Sequence, residues 1–519
     1  MAQITQLGSL NTAALVVPDL YVQIAAPQTL ALNGVSTDRI GVVGTASWGP
    51  VNQPVVLGSL ADYNVAFGSV QTRQYDLGTP IALAEQQGAT SFVGVRVTDG
   101  SDTAANYAML YSSAGYPAIL TAIYTGTLGN QVGLTLGTGT KTGTWKLTLQ
   151  MPGQLAEVFD NIDASQGAAS FWTNLVSAVN NGNSASRGPS NLCAASVGNN
   201  LSTAPQAIAD QYLMNGSDGA SSVADAIVVG TDGVSRTGMY ALRGQACALA
   251  VMADCVDPTF WTTQSAFGES EGIYMILAGA RGQVISSAVQ MKQQSGLDSY
   301  AAKLMFGDWI YWYDQTNIQT RLVSPQGVVA GCLANLSPEQ SSLNKPLSGI
   351  IGSQKSGLAS SGQVLAYSSA ELQQLFSAGI DVVSNPAPGG AYWAVRCGHN
   401  SSSSSVIASD AYTRMTNFIA ETLSSGMGKY VGSVINSTLL SNIRATLLGY
   451  LSSLVTQGIL GSVDGAAPYA VVCDASNNPQ TRTALGYVQA DVQVRYQGIN
   501  ERFIVNLQGG QNVTVTTTN

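Results

Sequence analysis

The sequence is short of charge. Lys, Arg, Asp and Glu make up 10% of its 519 residues, against about 25% in an ordinary soluble domain. A free monomer relies on charge for solubility, so a surface this poor in charge points to a chain covered by neighbours. Histidine is nearly absent, His399 being the only one. That excludes HExxH zinc sites, His-rich metal sites and multi-histidine proton relays. No Lys/Arg block occurs, and 30 acidic against 21 basic residues leave a net charge of −9. Phosphate backbones need a concentrated basic face, so nucleic acid is not expected as a partner. No apolar run approaches the ~20 residues of a membrane span, so no membrane insertion is expected. The opening Met-Ala-Gln-Ile-Thr-Gln lacks the basic and long apolar regions of a secretory signal. The six cysteines (193, 247, 255, 332, 397 and 473) form no CxxC. They read as buried thiols rather than a disulfide framework.

What is present is a globular chain, 45% hydrophobic with 56 glycines, long enough for roughly three domains. Residues 1–25 read as an arm, in which Ala14–Ile24 is β-prone but carries Pro18. Residues 26–99 look α/β. Arg39–Gly44 and Ser91–Val97 read as strands, Ser59 caps a helix running to Phe67, and Pro80 sits at the start of another. Residues 100–205 are richer in Gly and Thr and read as a mostly β insertion, with clean alternation at Trp145, Leu147 and Leu149 and a helix over Phe171–Val179. Residues 206–354 return to alternating strands and helices, which favours a partly parallel sheet. Trp309–Tyr313 lacks basic neighbours, so it reads as core or interface rather than as a base-stacking strand. Residues 355–508 hold two amphipathic helices, the second with Leu439, Ile443, Leu447, Leu451 and Leu454 at helical spacing. Strands are expected over Tyr469–Cys473, Val488–Tyr496 and Arg502–Leu507, and residues 509–519 form a second β-prone arm.

Catalytic and cofactor motifs do not emerge. Gly137–Gly143 has Thr140 where a phosphate loop needs glycine before its lysine, and it reads as a β-turn. There is no GxSxG elbow. His399 beside Cys397 lacks the separation of a nucleophile and its base. Asp254/Asp257 and Glu269/Glu271 read as loop or cap residues, and Asp160–Asp163 has the wrong spacing for a calcium loop. No enzyme activity, metal or cofactor is expected. Two β-prone termini on an α/β body with an inserted β region point to an assembling protein.

Specific residues then resemble a known family. Gly44-Thr-Ala-Ser-Trp-Gly-Pro-Val-Asn-Gln-Pro54, Ser59, Asp62-Tyr63 and Phe67-Gly68 look like the N-terminal signature of contractile tail sheath proteins. Val17-Pro18-Asp19-Leu20-Tyr21-Val22 resembles the family's P-G-V-Y-V opening, with Asp19 for glycine. Ser324–Gly331, Lys345-Pro346 and Trp393–Cys397 resemble its P-P-S-G-x-x-A-G, K-A-P and W-G-x-R-T blocks, with Ser324, Gln326, Ala394 and Cys397 departing. Gln457–Gly461, Val472-Cys473-Asp474 and Asn477-Asn478 are similar to its C-terminal block. The matches keep the family's order and span the chain outside 100–205.

The resemblance implies a mixed α/β and α+β multidomain fold. A conserved inner domain would be built from N- and C-terminal portions, beside an α/β middle domain, an inserted outer domain and extended terminal arms. It implies a structural subunit of hexameric rings, stacked as a helical sheath around a tail tube and contracting to drive the tube through a host envelope. Further partners would be baseplate and tail terminator proteins, and the location the virion, after assembly in the host cytoplasm. The arms would be exchanged between copies. Val16, Val17, Leu20, Tyr21, Val22, Val513 and Val515 then belong to donated strands, and Val471, Val472, Val488, Val492 and Val494 to the receiving sheet, with Lys429 and Arg444 as candidate tube contacts. One chain carrying all blocks favours a phage or a phage-derived tailocin over secretion sheaths, which divide between two chains. A surface-binding or depolymerase virion protein working through the insertion is the alternative of a different class.

Overall fold

The computed structural model describes residues 3–6, 21–24, 32, 34–184, 186–358 and 365–509. The chain divides into two compact units. The described residues of 36–417 and 499–519 form the larger, and those of 1–35 and 418–498 the smaller.

Short apolar runs bounded by turn residues become buried strands when both faces of a sheet are covered. In the larger unit these are β1 (Ile40–Gly44), β2 (Pro54–Leu57), β3 (Phe92–Arg96), β4 (Leu249–Met252), β5 (Tyr274–Ala278), β6 (Ala302–Met305) and β7 (Ile380–Asp381). They make one sheet in the order β7-β6-β5-β4-β1-β3-β2. Every pair is parallel except β2 with β3. Successive residues point to opposite faces and feed two cores. Ile40, Val42, Leu249, Val251 and Ile276 join Tyr63, Phe67, Ile81 and Leu333 in one. Val43, Ala250, Met252, Met275 and Leu277 join Leu242, Trp261 and Phe267 in the other.

The family-like residues do structural work in this unit. Ser59 caps helix α1 (Leu60–Phe67), its hydroxyl accepting from the Asp62 N–H at 3.2 Å. Gly49 has φ +92°, and a Cβ there would lie 2.6 Å from the Ala66 carbonyl oxygen, so the turn after β1 requires glycine. Helix α2 (Gly78–Gln86) packs on α3 (Gln326–Ala334), whose nine residues are all buried. A Cβ on Gly331 would come within 2.4 Å of the Ala84 Cα, so these helices meet backbone to backbone.

The insertion is a two-sheet body with its own core. Strands Glu157–Asp163, Thr144–Gln150, Gly133–Thr138 and Ile208–Tyr212 form one antiparallel sheet, and Cys193–Val197, Ala118–Thr125 and Ala104–Met109 the other. Helix Ala168–Asn181 buries Phe171, Trp172 and Leu175 against them. The glycine-rich stretch at 139–143 is the hairpin turn between two of these strands, with Gly143 at φ +78°.

In the smaller unit, helix α4 (Asp410–Met427) contributes its part from Phe418 onward. Asn436 caps helix α5 (Ser437–Thr456), its side chain accepting from the Leu439 N–H at 2.8 Å. The predicted stripe is the buried one: Leu439, Ile443, Leu447, Leu451 and Leu454. Strands β8 (Tyr469–Val472) and β9 (Asp491–Val494) pair antiparallel in a sheet of two. Gln3–Gln6 pairs in parallel with Tyr21–Ile24.

Candidate functional site

The receiving region can be built from its residues. Asn477 and Asn478 clamp the start of the β8–β9 hairpin. Asn478 Nδ2 donates to the Gln489 carbonyl at 2.8 Å, its Oδ1 accepts from the Gln489 N–H at 2.6 Å, and Asn477 Nδ2 donates to the Val472 carbonyl at 2.9 Å. Ladder pairing follows, with Val471 opposite Val492 and Tyr469 opposite Val494. Val471 is buried, Val492 and Val494 are half-buried, and Val472 is exposed. Val488 lies before the strand rather than in it, so β9 is shorter than the expected Val488–Tyr496. Gln489, just before that strand, is held by the Asn478 side-chain amide.

Among the described residues β8 and β9 pair only with each other, so both outer edges of this sheet are unpaired. Beside β9 lies an apolar groove of about 670 Å³, lined among others by Leu423, Leu439, Ile443, Val488 and Val492. A two-stranded sheet is marginal alone, and an open edge is a template for another strand.

The expected strand Arg502–Leu507 requires correction. Residues 501–509 have no regular secondary structure and join no ladder among the described residues. Phe503, Ile504, Val505 and Leu507 are 83%, 80%, 68% and 89% exposed. Within the N-terminal arm, Tyr21–Ile24 pairs in parallel with Gln3–Gln6 of the same chain. Tyr21 and Val22 are in that strand. Val16, Val17, Leu20, Val513 and Val515 fall outside the described residues. Lys429 sits in the turn after α4, its Nζ 5.1 Å from the Tyr430 ring centre, and Arg444 is exposed on α5.

Lys303, Asp381 and Asp410 of the larger unit form a buried clasp. Lys303 on β6 is fully buried, and its Nζ donates to Asp381 Oδ2 (2.7 Å), Asp410 Oδ1 (3.1 Å) and the His399 carbonyl (3.0 Å). Asp410 also accepts from the Tyr274 hydroxyl at 2.6 Å and from the Ser342 hydroxyl. Asp381 accepts the backbone N–H groups of Val382, Cys397 and Gly398. Burial opposes the charge on Asp410, but Lys303 and the hydroxyl donors outweigh it and hold the carboxyl below its usual value. Burial likewise opposes the charge on Lys303, and the two carboxylates outweigh it and raise the ammonium above its usual value. Every carboxylate oxygen of the pair has a partner, whereas a general acid or base needs an atom free to meet its substrate.

The remaining candidates are also structural. His399 Nε2 lies 2.8 Å from Glu501 Oε1. Asp257 caps the turn at Pro258 through the Thr259 N–H, Glu269 accepts from Ser299, and Glu271 pairs with Arg243 at 2.7 Å. Cys193, Cys247, Cys255, Cys332 and Cys473 are buried free thiols, and Cys397 is half-buried. Among the described residues there is no cluster that could hold a metal, and no helix is long and apolar enough to cross a membrane.

No protein-family model matches the chain, and no curated protein matches it by sequence. Solved structures do. The sheath tail protein of Listeria innocua is 15% identical with a TM-score of 0.58, over 86% of this chain and 90% of that one. The sheath tail protein of Desulfitobacterium hafniense is 13% identical with a TM-score of 0.53, over 87% and 93%. The PVC sheath of an extracellular contractile injection system, in its contracted state, is 13% identical with a TM-score of 0.53, over 96% and 98%. At these identities the likeness is one of fold. The chain has the mixed, several-sheeted fold of sheath proteins, as its sequence led one to expect.

Proposed function

We propose that this chain is the structural subunit of a contractile sheath. Copies form rings that stack around a tail tube, linked by strands exchanged at their ends. The observation that carries the reading is the match between an incomplete receiver and an unused donor in one polypeptide. β8–β9 is a sheet of two with open edges beside an apolar groove. Residues 501–509 expose Phe503, Ile504, Val505 and Leu507 and join no ladder among the described residues. Strand addition ties chains through backbone hydrogen bonds while alternate side chains fill pockets. In an extended strand Phe503, Val505 and Leu507 share one face. The donated set then includes residues 499–509 as well as the 511–517 and 15–24 segments, with Val471, Val472, Val488, Val492 and Val494 receiving.

Contraction is a switch between two packings of the same mesh. A ring released at the baseplate rotates outward and buries more surface against its neighbours. At about 25 cal/mol per Å² of apolar area, a few hundred Å² per subunit yields several kcal/mol. Summed over many subunits this drives the tube without nucleotide and without an enzymatic step. Likeness to the PVC and anti-feeding prophage sheaths supports an extracellular injection particle as well as a phage tail. Electron microscopy of the concentrated protein should show long cylinders. Deleting residues 1–20 or 511–519 should leave a folded chain that no longer polymerises, and normal cylinders from both deletions would sink the exchange.

A further inference from the structure

The larger unit holds a polar crevice that assembly through the chain ends does not use. In open α/β sheets, ligands bind outside the carboxyl ends of the strands, where the strand order reverses. Here the chain runs from β1 to β3 on one side, then returns to place β4 on the other, so the reversal lies between β1 and β4. A crevice of about 550 Å³ opens there, lined among others by Arg73, Asp254, Arg281, Trp309, Gln319 and Arg321. Its size is that of a small-molecule site and exceeds what one side chain fills.

The lining is rich in donors with spare capacity. Arg73 gives Nε to Thr45 (3.0 Å) and Nη1 to Asp218 (2.5 Å), while its Nη2 is buried and unpaired. Arg321 is anchored by Asp314 at 2.8 Å. Arg281, on the loop after β5, is exposed and makes no hydrogen bond or ion pair among the described residues. Of the described lining residues only Asp254 is a carboxylate. It accepts the Tyr75 N–H at 3.2 Å, and burial pushes it up to about 6. Anchored, planar guanidinium forks match phosphate oxygens and hold their geometry without a ligand present.

We propose that this crevice binds a small phosphate-bearing anion, with Arg281 as its principal ligand and Arg321 and Gln319 lining the same crevice. The test is calorimetric titration of the full chain with inorganic phosphate and with ADP at fixed ionic strength. Saturable binding is expected for the natural chain, at least 10-fold weaker for Arg281→Ala and for Gln319→Ala, and unchanged for Arg236→Ala, whose side chain lies outside the crevice. Arg281 and Gln319 are both exposed, and equal melting temperatures check that both variants fold. Three results would overturn the proposal. Neither probe binds up to millimolar concentration, or Arg281→Ala and Gln319→Ala bind like the natural chain. Or Arg281→Ala shortens the polymers with no anion bound, which makes the crevice a contact between copies.

Discussion

The two sheets at opposite ends of the sequence's logic differ in completeness. The seven-stranded sheet of the larger unit buries β1, β3, β4 and β5 wholly, covers both faces, and pairs its strands with segments hundreds of residues apart. The β8–β9 sheet of the smaller unit has, among the described residues, two strands with unpaired outer edges, beside an apolar groove. Both contain Val-bearing strands. The difference lies in whether the chain supplies the remaining partners. Where it does, the sheet lies between two buried cores; where it does not, the open edges and the exposed apolar side chains of 501–509 are the parts that the proposed exchange would join.

That contrast can be broken from either side. The largest effect is expected from deleting residues 499–519. Polymers should vanish altogether in sedimentation, while the melting temperature of the unassembled chain stays within a degree or two. Next comes Lys303→Met, which strips the counter-charge from two buried carboxylates. Loss of one partner of a buried pair costs about 3–5 kcal/mol, read as a lower urea midpoint of the larger unit. Gly331→Ala should follow, because its methyl would overlap the Ala84 backbone. Overpacking costs about 1–3 kcal/mol, and denaturant unfolding of the full chain reads it.

A pH dependence sharpens the same contrast. Asp76 is buried, with Oδ2 held by the Thr79 N–H (2.8 Å) and hydroxyl (2.7 Å), and burial pushes its carboxyl up to about 7. The folded value lies above the unfolded one of about 4, so the folded state binds the proton more tightly. This group's contribution to stability is therefore full below about pH 4 and falls as pH rises to 7. Asp76→Asn should flatten melting temperature against pH over that window. The smallest effect belongs to Phe503→Ser. A side chain this exposed should change unassembled stability by less than about 0.5 kcal/mol, yet weaken polymerisation in light scattering.

Sequence made the closed sheet easier to read than the open one. β1 and β5 are apolar runs, Ser59 is a cap of the expected kind, and the α5 stripe is the one that is buried. Each depends on neighbours a few residues away. The Lys303–Asp381–Asp410 clasp was missed because its members meet only through the fold, although a lysine inside the apolar run Ala301–Phe306 signals a buried partner. The three arginines of the crevice are likewise scattered over 73, 281 and 321. Arg502–Leu507 misled for the opposite reason. Its β-propensity is real, but propensity does not say whose sheet a strand joins.

The most direct test of the central claim is electron cryomicroscopy of the assembled polymer, with the backbone traced through the β8–β9 sheet. The account predicts that each such sheet carries at least one added strand whose connectivity leads to a different copy. A sheet that stays two-stranded in the polymer, or gains strands only from its own chain, would contradict it.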